Sequence, residues 1–268
     1  MKEKYHRLCN RHRWIPVVIV TALMALFLTI DVGFGQHFNL FPWVLAGLTI
    51  LLSCFVGAGH GAKLMNPTVL AMQNHCDPYP LLAETEDQLS YVKNRGSRQL
   101  LTINRAAALI ELGQFEEALA LLEALNIDAP VCLGLWRHVY YHNAALAALG
   151  CGQREKADIY RRQAQQQVAA VTHKPHKAIV ESATLAIDIV MHLADGDYDA
   201  ARRLLEQHQE PHHTLDRVHR AYQRGRVELA QGNLSAARLH FEFAVQYGGK
   251  LYFAEKAREK LEEMNTHE

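Results

Sequence analysis

The stretch IELGQFEEALALLEALNIDAP, residues 110–130, has the apolar spacing of an amphipathic helix but is interrupted by Gly113. Glycine inside a helix costs about 1 kcal/mol relative to alanine, so its presence indicates that one helix ends there and a second begins. Phe115 and Ala118 follow within five residues of the glycine, and Pro130 closes the stretch. The pattern predicts a unit of two helices that are joined at the glycine and that ends near the proline.

The same pattern recurs three more times downstream, with glycines 39, 44 and 36 residues apart. An alanine stands five residues after each glycine, and a bulky apolar residue often stands two residues after it. The positions that define the repeat are Gly113, Phe115, Ala118, Gly152, Ala157, Gly196, Tyr198, Ala201, Gly232 and Ala237. A pattern that recurs in this way predicts a stack of helix pairs, in which the alanine marks the closest approach of the two helices of a pair.

These residues resemble the tetratricopeptide repeat (TPR) family. The resemblance is carried by ELGQFEEALALLEALNIDAP, ADGDYDAARRLLEQ and LAQGNLSAARLHFEFA, and it covers residues 99–247. It implies an all-α fold, with a TPR-like α-solenoid over residues 99–250 and a C-terminal capping helix within residues 251–268. Because the spacings exceed the family's repeat of about 34 residues, we expect the extra residues to form loops between units, such as APVCLGLWRH and THKPHK.

Two uncharged segments precede the repeats. Residues 14–30 read WIPVVIVTALMALFLTI, and residues 41–56 read FPWVLAGLTILLSCFV. At about 1.5 Å per residue each segment is long enough to cross a hydrocarbon core, which predicts two transmembrane helices that form a hairpin over residues 14–58. A pair of buried core helices is the alternative for both segments, and a cleaved signal peptide is the alternative for the first.

The distribution of basic residues predicts the orientation of this hairpin. Residues 1–13 contain five lysines and arginines, the connector at residues 31–39 contains none, and Lys63 follows the second segment. The positive-inside rule therefore predicts a multi-pass protein of the cell membrane with two spans and with both termini in the cytoplasm.

Residues 59–98 are predicted to form a juxtamembrane linker with short helical segments. One short helix is expected after Pro67. Asp77 followed by Pro78 is a helix-start signal, because the aspartate can cap free N–H groups and proline is tolerated at the first helical position. The NRGS sequence at residues 94–97 predicts the turn that ends this second helix.

Composition and motifs argue against several functional classes. Lysine plus arginine equals aspartate plus glutamate at 28 each, which disfavours a dedicated nucleic-acid binder. The chain has no GxxxxGK[ST] loop, no GxSxG elbow and no HExxH motif. His138 and His142 have the i, i+4 spacing of a metal-binding pair, but no third ligand is identifiable, so packing or solvated histidines are expected. We predict no metal, no cofactor and no enzymatic activity.

The resemblance also implies where a partner would bind, because TPR proteins build a concave face from the first helix of each unit. Mapped onto this chain, that face consists of Ile103, Ala107, His142, Leu146, Ala186, Val190, Tyr222 and Arg226. Its mostly apolar character predicts a groove for a helix or an extended peptide. Three charged residues, Arg105, Asp188 and Arg224, occupy a slot that is usually apolar in the family. They form either a polar stripe in the groove, with a pair between Asp188 and Arg224, or reach solvent along their stems.

The leading prediction is a membrane-tethered scaffold or adaptor that binds a protein or peptide, including another membrane protein, through a cytoplasmic TPR groove. The lipid bilayer is a second expected partner, and nucleic acid is not expected. Two alternatives remain open. One is a regulatory or sensor subunit of a membrane protein complex, and the other is a metal-dependent enzyme that uses the histidines.

Overall fold

A computed structural model of the protein describes residues 67–127, 134–208, 211 and 213–266. The chain divides into two units, residues 1–67 and residues 68–268, and the described residues after 67 belong to the second unit. The predicted transmembrane hairpin at residues 14–58 lies outside the described residues. Within the described part of the chain, no helix combines the length and the apolar character needed to cross a bilayer.

The described residues form eleven helices and contain no strand, which confirms the all-α fold class for this part of the chain. The helices are α1 (67–75), α2 (Tyr79–Tyr91), α3 (Arg95–Glu111), α4 (Phe115–Glu123), α5 (Gly134–Gly150), α6 (Arg154–Val168), α7 (Lys174–Ala194), α8 (Tyr198–Gln207), α9 (Thr214–Ala230), α10 (Leu234–Tyr247) and α11 (Tyr252–Thr266).

The same turn joins the two helices of each repeat unit. The four repeat glycines have φ between 73° and 80°, a left-handed conformation that glycine adopts without steric cost. In the first turn, the Gln114 N–H donates to the Leu109 carbonyl at 2.9 Å, and the equivalent bonds of the other three turns measure 2.8–2.9 Å. This is the Schellman motif, which satisfies carbonyls at the end of the first helix. The glycines therefore separate α3 from α4, α5 from α6, α7 from α8, and α9 from α10.

Packing within and between the units follows the order of the chain. The four repeat alanines are fully buried, which allows the two helices of each pair to approach closely. The first helices α3, α5, α7 and α9 also contact one another in sequence. The largest apolar core includes Ile103, Leu109 and Leu122, and a second core contains Ile189 and Leu193. Each unit is thus stabilised by its neighbours, as expected of a solenoid.

The extra residues before the third unit lengthen a helix, contrary to the expectation that THKPHK forms a loop, because α7 has 21 residues whereas α3, α5 and α9 have 17 each. Helix α5 begins at Gly134, inside APVCLGLWRH, and α7 begins at Lys174, inside THKPHK. NRGS is likewise not a turn, because α3 begins at Arg95. The Asn94 side chain caps α3 by accepting a hydrogen bond from the Ser97 N–H at 3.0 Å. Favourable capping and tolerance of proline in a first helical turn explain why these helices start early.

The two ends of the repeat array meet. The Lys250 backbone N–H donates to the Cys76 carbonyl at 3.0 Å, and the Lys250 ammonium lies 3.0 Å from an Asp77 carboxylate oxygen. The Tyr252 ring packs edge-on against the Phe115 ring, with 5.1 Å between the centroids. The predicted capping helix, observed as α11, therefore packs on α9 and α10, and its Tyr252 ring contacts the first unit. The array is a closed ring, which the sequence did not predict.

Candidate partner-binding groove

Three of the eight predicted groove residues line one cavity on the inner side of the ring. This cavity is lined by Val190, Leu193, His219, Tyr222, Gln223, Arg226 and Phe253. Its volume is about 20 Å³, which is close to the space needed for a single water molecule. Since an α-helix is about 10 Å wide, this part of the predicted groove is filled in the closed ring.

The other predicted groove residues lie elsewhere on the first helices. Ile103 belongs to the core and is fully buried, which corrects its assignment to the groove. Helix α5 packs directly over α3 at this point, and the Asn143 amide donates to the Ile103 carbonyl at 3.4 Å. The remaining four residues are half-buried, and they are Ala107, His142, Leu146 and Ala186.

Aromatic side chains form one wall of the cavity. The Tyr222 ring lies 5.1 Å from the Phe253 ring and 6.0 Å from the Phe241 ring, measured between centroids. Burial raises the pKa of Tyr222, so its phenol stays neutral at physiological pH. Arg226 is held beside this wall because its guanidinium donates to the Leu193 carbonyl at 3.0 Å. An aromatic wall next to an arginine suits an apolar side chain that is flanked by an acidic group.

Two histidines of α5 are held in the neutral form. His138 Nε2 lies 2.9 Å from the Thr184 hydroxyl, which itself donates to the Val180 carbonyl at 2.7 Å. Because the hydroxyl proton is already used, His138 is the donor in its bond with Thr184. Burial lowers the pKa of His138 to about 4. Burial, together with the neighbouring His138, lowers the pKa of His142 to about 3.

The metal site considered for these histidines finds no support in the described geometry. His138 Nε2 is bonded to Thr184, and the His138 and His142 rings are stacked with 6.3 Å between their centroids. Nowhere in the described residues do three or more histidine, cysteine, aspartate or glutamate side chains lie together so that they could hold a metal ion.

An ion pair at the closure of the ring was not anticipated from the sequence. His219 Nε2 on α9 lies 2.8 Å from a carboxylate oxygen of Glu111 on α3, and both side chains are largely buried. The His219 ring also packs edge-on against Phe253, with 4.9 Å between the centroids. One feature of the sequence could have indicated a cationic partner for Glu111. Glu111 stands in the last turn of its helix, where the helix dipole disfavours a carboxylate that lacks a cationic neighbour.

The predicted polar stripe is divided among different helix contacts. Arg105 lies 2.7 Å from Glu117, on the second helix of its own unit. Asp188 pairs with Arg161 of α6 at 2.9 Å, in place of the predicted pair with Arg224. Arg161 stands nine residues after Gly152, where the other units have an apolar residue. It faces the first helix of the next unit, which explains why it pairs with Asp188.

The third residue of the stripe, Arg224, lines a separate cleft of about 270 Å³. This cleft also includes Arg202, Glu228 and His240. Arg202 is paired with Glu228 at 2.8 Å. Burial, followed by the positive charge of Arg224, lowers the pKa of His240. Arg105, Asp188 and Arg224 therefore do not act as one unit.

A double-mutant cycle between Arg161 and Asp188 checks this assignment. We expect a coupling free energy of about 0.5–1 kcal/mol from the two alanine variants and their double variant, because both side chains are partly buried and in contact. The free energies of unfolding would be measured by urea denaturation of the full-length protein. The matched cycle between Asp188 and Arg224 should give additive effects, and a larger coupling in that cycle would contradict the observed pairing.

Comparison with known proteins agrees with the repeat pattern. A family model described as tetratricopeptide repeat matches residues 99–124 and residues 189–207. These segments include the Gly113 turn of the first unit and the Gly196 turn of the third unit. No curated protein and no solved structure matches the chain.

Proposed function

We propose, since this chain is a member of the tetratricopeptide repeat family, that it binds a protein or peptide partner and holds that partner at a membrane. The observation that carries the binding role is the fourfold turn, in which glycines of nearly equal φ set the first helices side by side. This arrangement presents one continuous inner face of the kind that TPR proteins use for their ligands. No catalytic activity is needed for such a role.

The inner face favours a particular kind of ligand. Val190, Tyr222 and Phe253 offer apolar and aromatic contacts, while Arg226 offers a positive charge beside them. We therefore infer that the partner inserts an apolar or aromatic side chain flanked by a carboxylate, carried on an amphipathic helix or on an extended segment. Because the cavity is small in the closed ring, a ligand of this size requires the ring to widen.

The membrane tether rests on residues 14–30 and 41–56, which carry no charge. With the basic residues before the first segment, they favour a cell-membrane protein whose repeats face the cytoplasm. A tether of this kind raises the local concentration of a partner at the bilayer. Extraction of membranes at alkaline pH tests it, and release of the full-length protein with peripheral proteins would contradict an integral hairpin.

Photo-crosslinking tests the binding face directly. A photoreactive phenylalanine analogue would replace Val190 in the full-length protein, and cells would be irradiated before lysis. The control would carry the same analogue at Leu239, which is 68% exposed on α10 and does not line the cavity. We expect a discrete adduct at Val190 that is lost on Arg226→Ala substitution. Equal adducts at both positions would contradict binding at the inner face.

One observation favours the alternative of a regulatory or sensor subunit. Residues 75–77 follow the predicted spans by fewer than twenty residues and contact the C-terminal end of the repeats through Lys250 and Gly249. The chain that follows the predicted spans therefore enters the repeats at the contact that closes the ring. A co-purifying membrane protein that changes the accessibility of the inner face would support this alternative.

A further inference from the structure

We propose that the closure of the ring is a reversible clasp, and that the ion pair between Glu111 and His219 controls its opening. The clasp joins residues 75–77 and the α3–α4 turn on one side to α9 and the N-terminal end of α11 on the other. The further claim that opening admits a ligand to the inner face rests on the proposed function. The existence of the clasp does not depend on the proposed function.

The contacts of the clasp join segments that are distant in sequence. Lys250 bonds through its backbone to Cys76 and through its side chain to Asp77. The backbone at Gly249 lies so close to the carbonyl of Cys76 that an added methyl group would come within 2.8 Å of this oxygen. No continuous helix crosses the clasp. Its stability therefore depends on the side-chain and backbone contacts between the two ends of the array.

Opening would leave the repeat units intact. Contacts between consecutive first helices, and between the two helices of each unit, do not pass through the closure. In a solenoid, stability is approximately the sum of the units and the interfaces between neighbours. Separation of the first unit from α9 and α11 therefore costs only the clasp contacts, and the rest of the ring keeps its packing.

The ion pair is the largely buried contact of the clasp that responds to protons. A second histidine, His213, lies 3.3 Å from the Asn74 side-chain oxygen at the exposed edge of the same closure. The charged and titratable groups that face His219 are Glu111 from α3, His142 from α5, and Asp216, Tyr222 and Arg226 from α9. The Cys76 thiol lies near Glu111 and Asp216, and burial raises its pKa to about 11, so it stays neutral. Helix α11 contributes the uncharged Phe253 ring. His142 stays neutral because its pKa is lowered to about 3.

The direction in which pH changes the stability of the closed ring follows from the raised pKa of His219. Burial alone would lower the pKa of His219, but Glu111, and then Asp216, outweigh it and raise the pKa above its ordinary value. The ion pair therefore stabilises the closed ring fully below the ordinary histidine pKa of about 6.5. This stabilisation is lost as the pH rises through the raised pKa of the closed form. The ring is expected to open more readily at mildly alkaline pH.

The clasp and the cavity share residues. His219 and Phe253 both line the cavity, and both take part in the closure. Separation of Glu111 from His219 would therefore uncover the His219 edge of the cavity, while the lining on α7, α9 and α11 keeps its packing. This geometry gives an opening event a direct effect on the face that we propose for ligand binding.

Hydrogen exchange at the Lys250 amide tests the clasp in the full-length protein without any ligand. This amide bonds to Cys76 only when the ring is closed, whereas the Asp197 amide bonds within a turn far from the clasp and serves as the reference. We expect the protection factor of Lys250, corrected for intrinsic exchange, to fall between about pH 6 and about pH 8.5. The fall should be several-fold, because the ion pair stabilises the closed ring below the ordinary histidine pKa and this stabilisation is lost as the pH rises through the raised pKa of His219. The protection of Asp197 should remain constant.

A charge-neutralising variant provides the second arm. Glu111→Gln should lower the protection of Lys250 at pH 6 and abolish its pH dependence. The matched control is Glu117→Gln, which removes a carboxylate from the adjacent helix where it pairs with Arg105. If Glu111→Gln also lowers the protection of Asp197, its fold is affected, and His219→Gln replaces it in the same measurement.

The outcomes separate the clasp from the proposed function. Lys250 protection that is independent of pH in the unaltered protein, or equal in Glu111→Gln and Glu117→Gln, would overturn the clasp. A pH-dependent clasp without any position-specific adduct at Val190 would leave the clasp standing and overturn the proposed binding face. If both proposals hold, Glu111→Gln should also increase the yield of the Val190 adduct at pH 6.

Discussion

Replacement of Phe241 with alanine is expected to lower the free energy of unfolding by about 3–5 kcal/mol, the usual cost of removing a large aromatic side chain from a core. Phe241 on α10 is fully buried. Its ring packs beneath α9 at Gly225, where an added methyl group would come within 2.6 Å of the Phe241 ring. Gly225 provides the space that the Phe241 side chain fills. Alanine at position 241 would therefore leave a cavity between α9 and α10.

Leu239→Ala is the matched control for this substitution. Leu239 lies on the same helix two residues earlier and is 68% exposed, so its truncation should change stability by less than about 0.5 kcal/mol. Both variants would be compared with the unaltered full-length protein by urea denaturation followed by circular dichroism. Similar small losses for the two variants would contradict the packing of α10 against α9.

The repeat units were predictable because their chemistry is local. A Schellman turn needs a residue that accepts a positive φ and carbonyls from the helix that precedes it, so glycine marks its place in the sequence. The buried alanines at Ala118 and Ala201 are local for the same reason, since each lies five residues beyond its glycine. These features were sufficient to predict the helix pairs without knowledge of any contact between residues distant in sequence.

The lengths of the helices were less predictable. Whether THKPHK forms a loop or the first turn of α7 depends on how far α7 packs along its neighbours, and α7 begins at Lys174. The partner of Asp188 was mistaken for a related reason. The sequence pattern alone places both Arg161 and Arg224 within reach of Asp188. Only the packing of α6 against α7 selects Arg161 as the partner.

Closure of the ring could not be predicted from the spacing of the repeats. It depends on the curvature summed over all units, to which each unit adds a small rotation. Glu111 and His219, which meet at 2.8 Å, are 108 residues apart. The inner face was consequently predicted as an open groove, whereas the cavity that its described residues line beside Tyr222 is small.

Gly113→Ala is expected to cost about 2–4 kcal/mol, more than the same substitution at any other repeat glycine. Two effects add at this position. An L-residue at φ +75° costs about 1–2 kcal/mol, and the new methyl group would overlap the Tyr252 ring across the closure, which adds about 1–2 kcal/mol of overpacking. The free energy of unfolding and the protection of the Lys250 amide would both be measured.

Gly196→Ala separates the two effects. Its φ of +76° matches that of Gly113, but open space surrounds the added methyl group. Gly196→Ala should therefore cost only the backbone strain of about 1–2 kcal/mol and leave the Lys250 amide protected. Gly113→Ala should cost more and should also expose the Lys250 amide, because displacement of the Tyr252 ring is expected to separate the N-terminal end of α11 from the first unit. Equal costs and equal protection in the two variants would mean that Tyr252 yields without opening the ring, and that the contact between the first and last helices contributes little to closure.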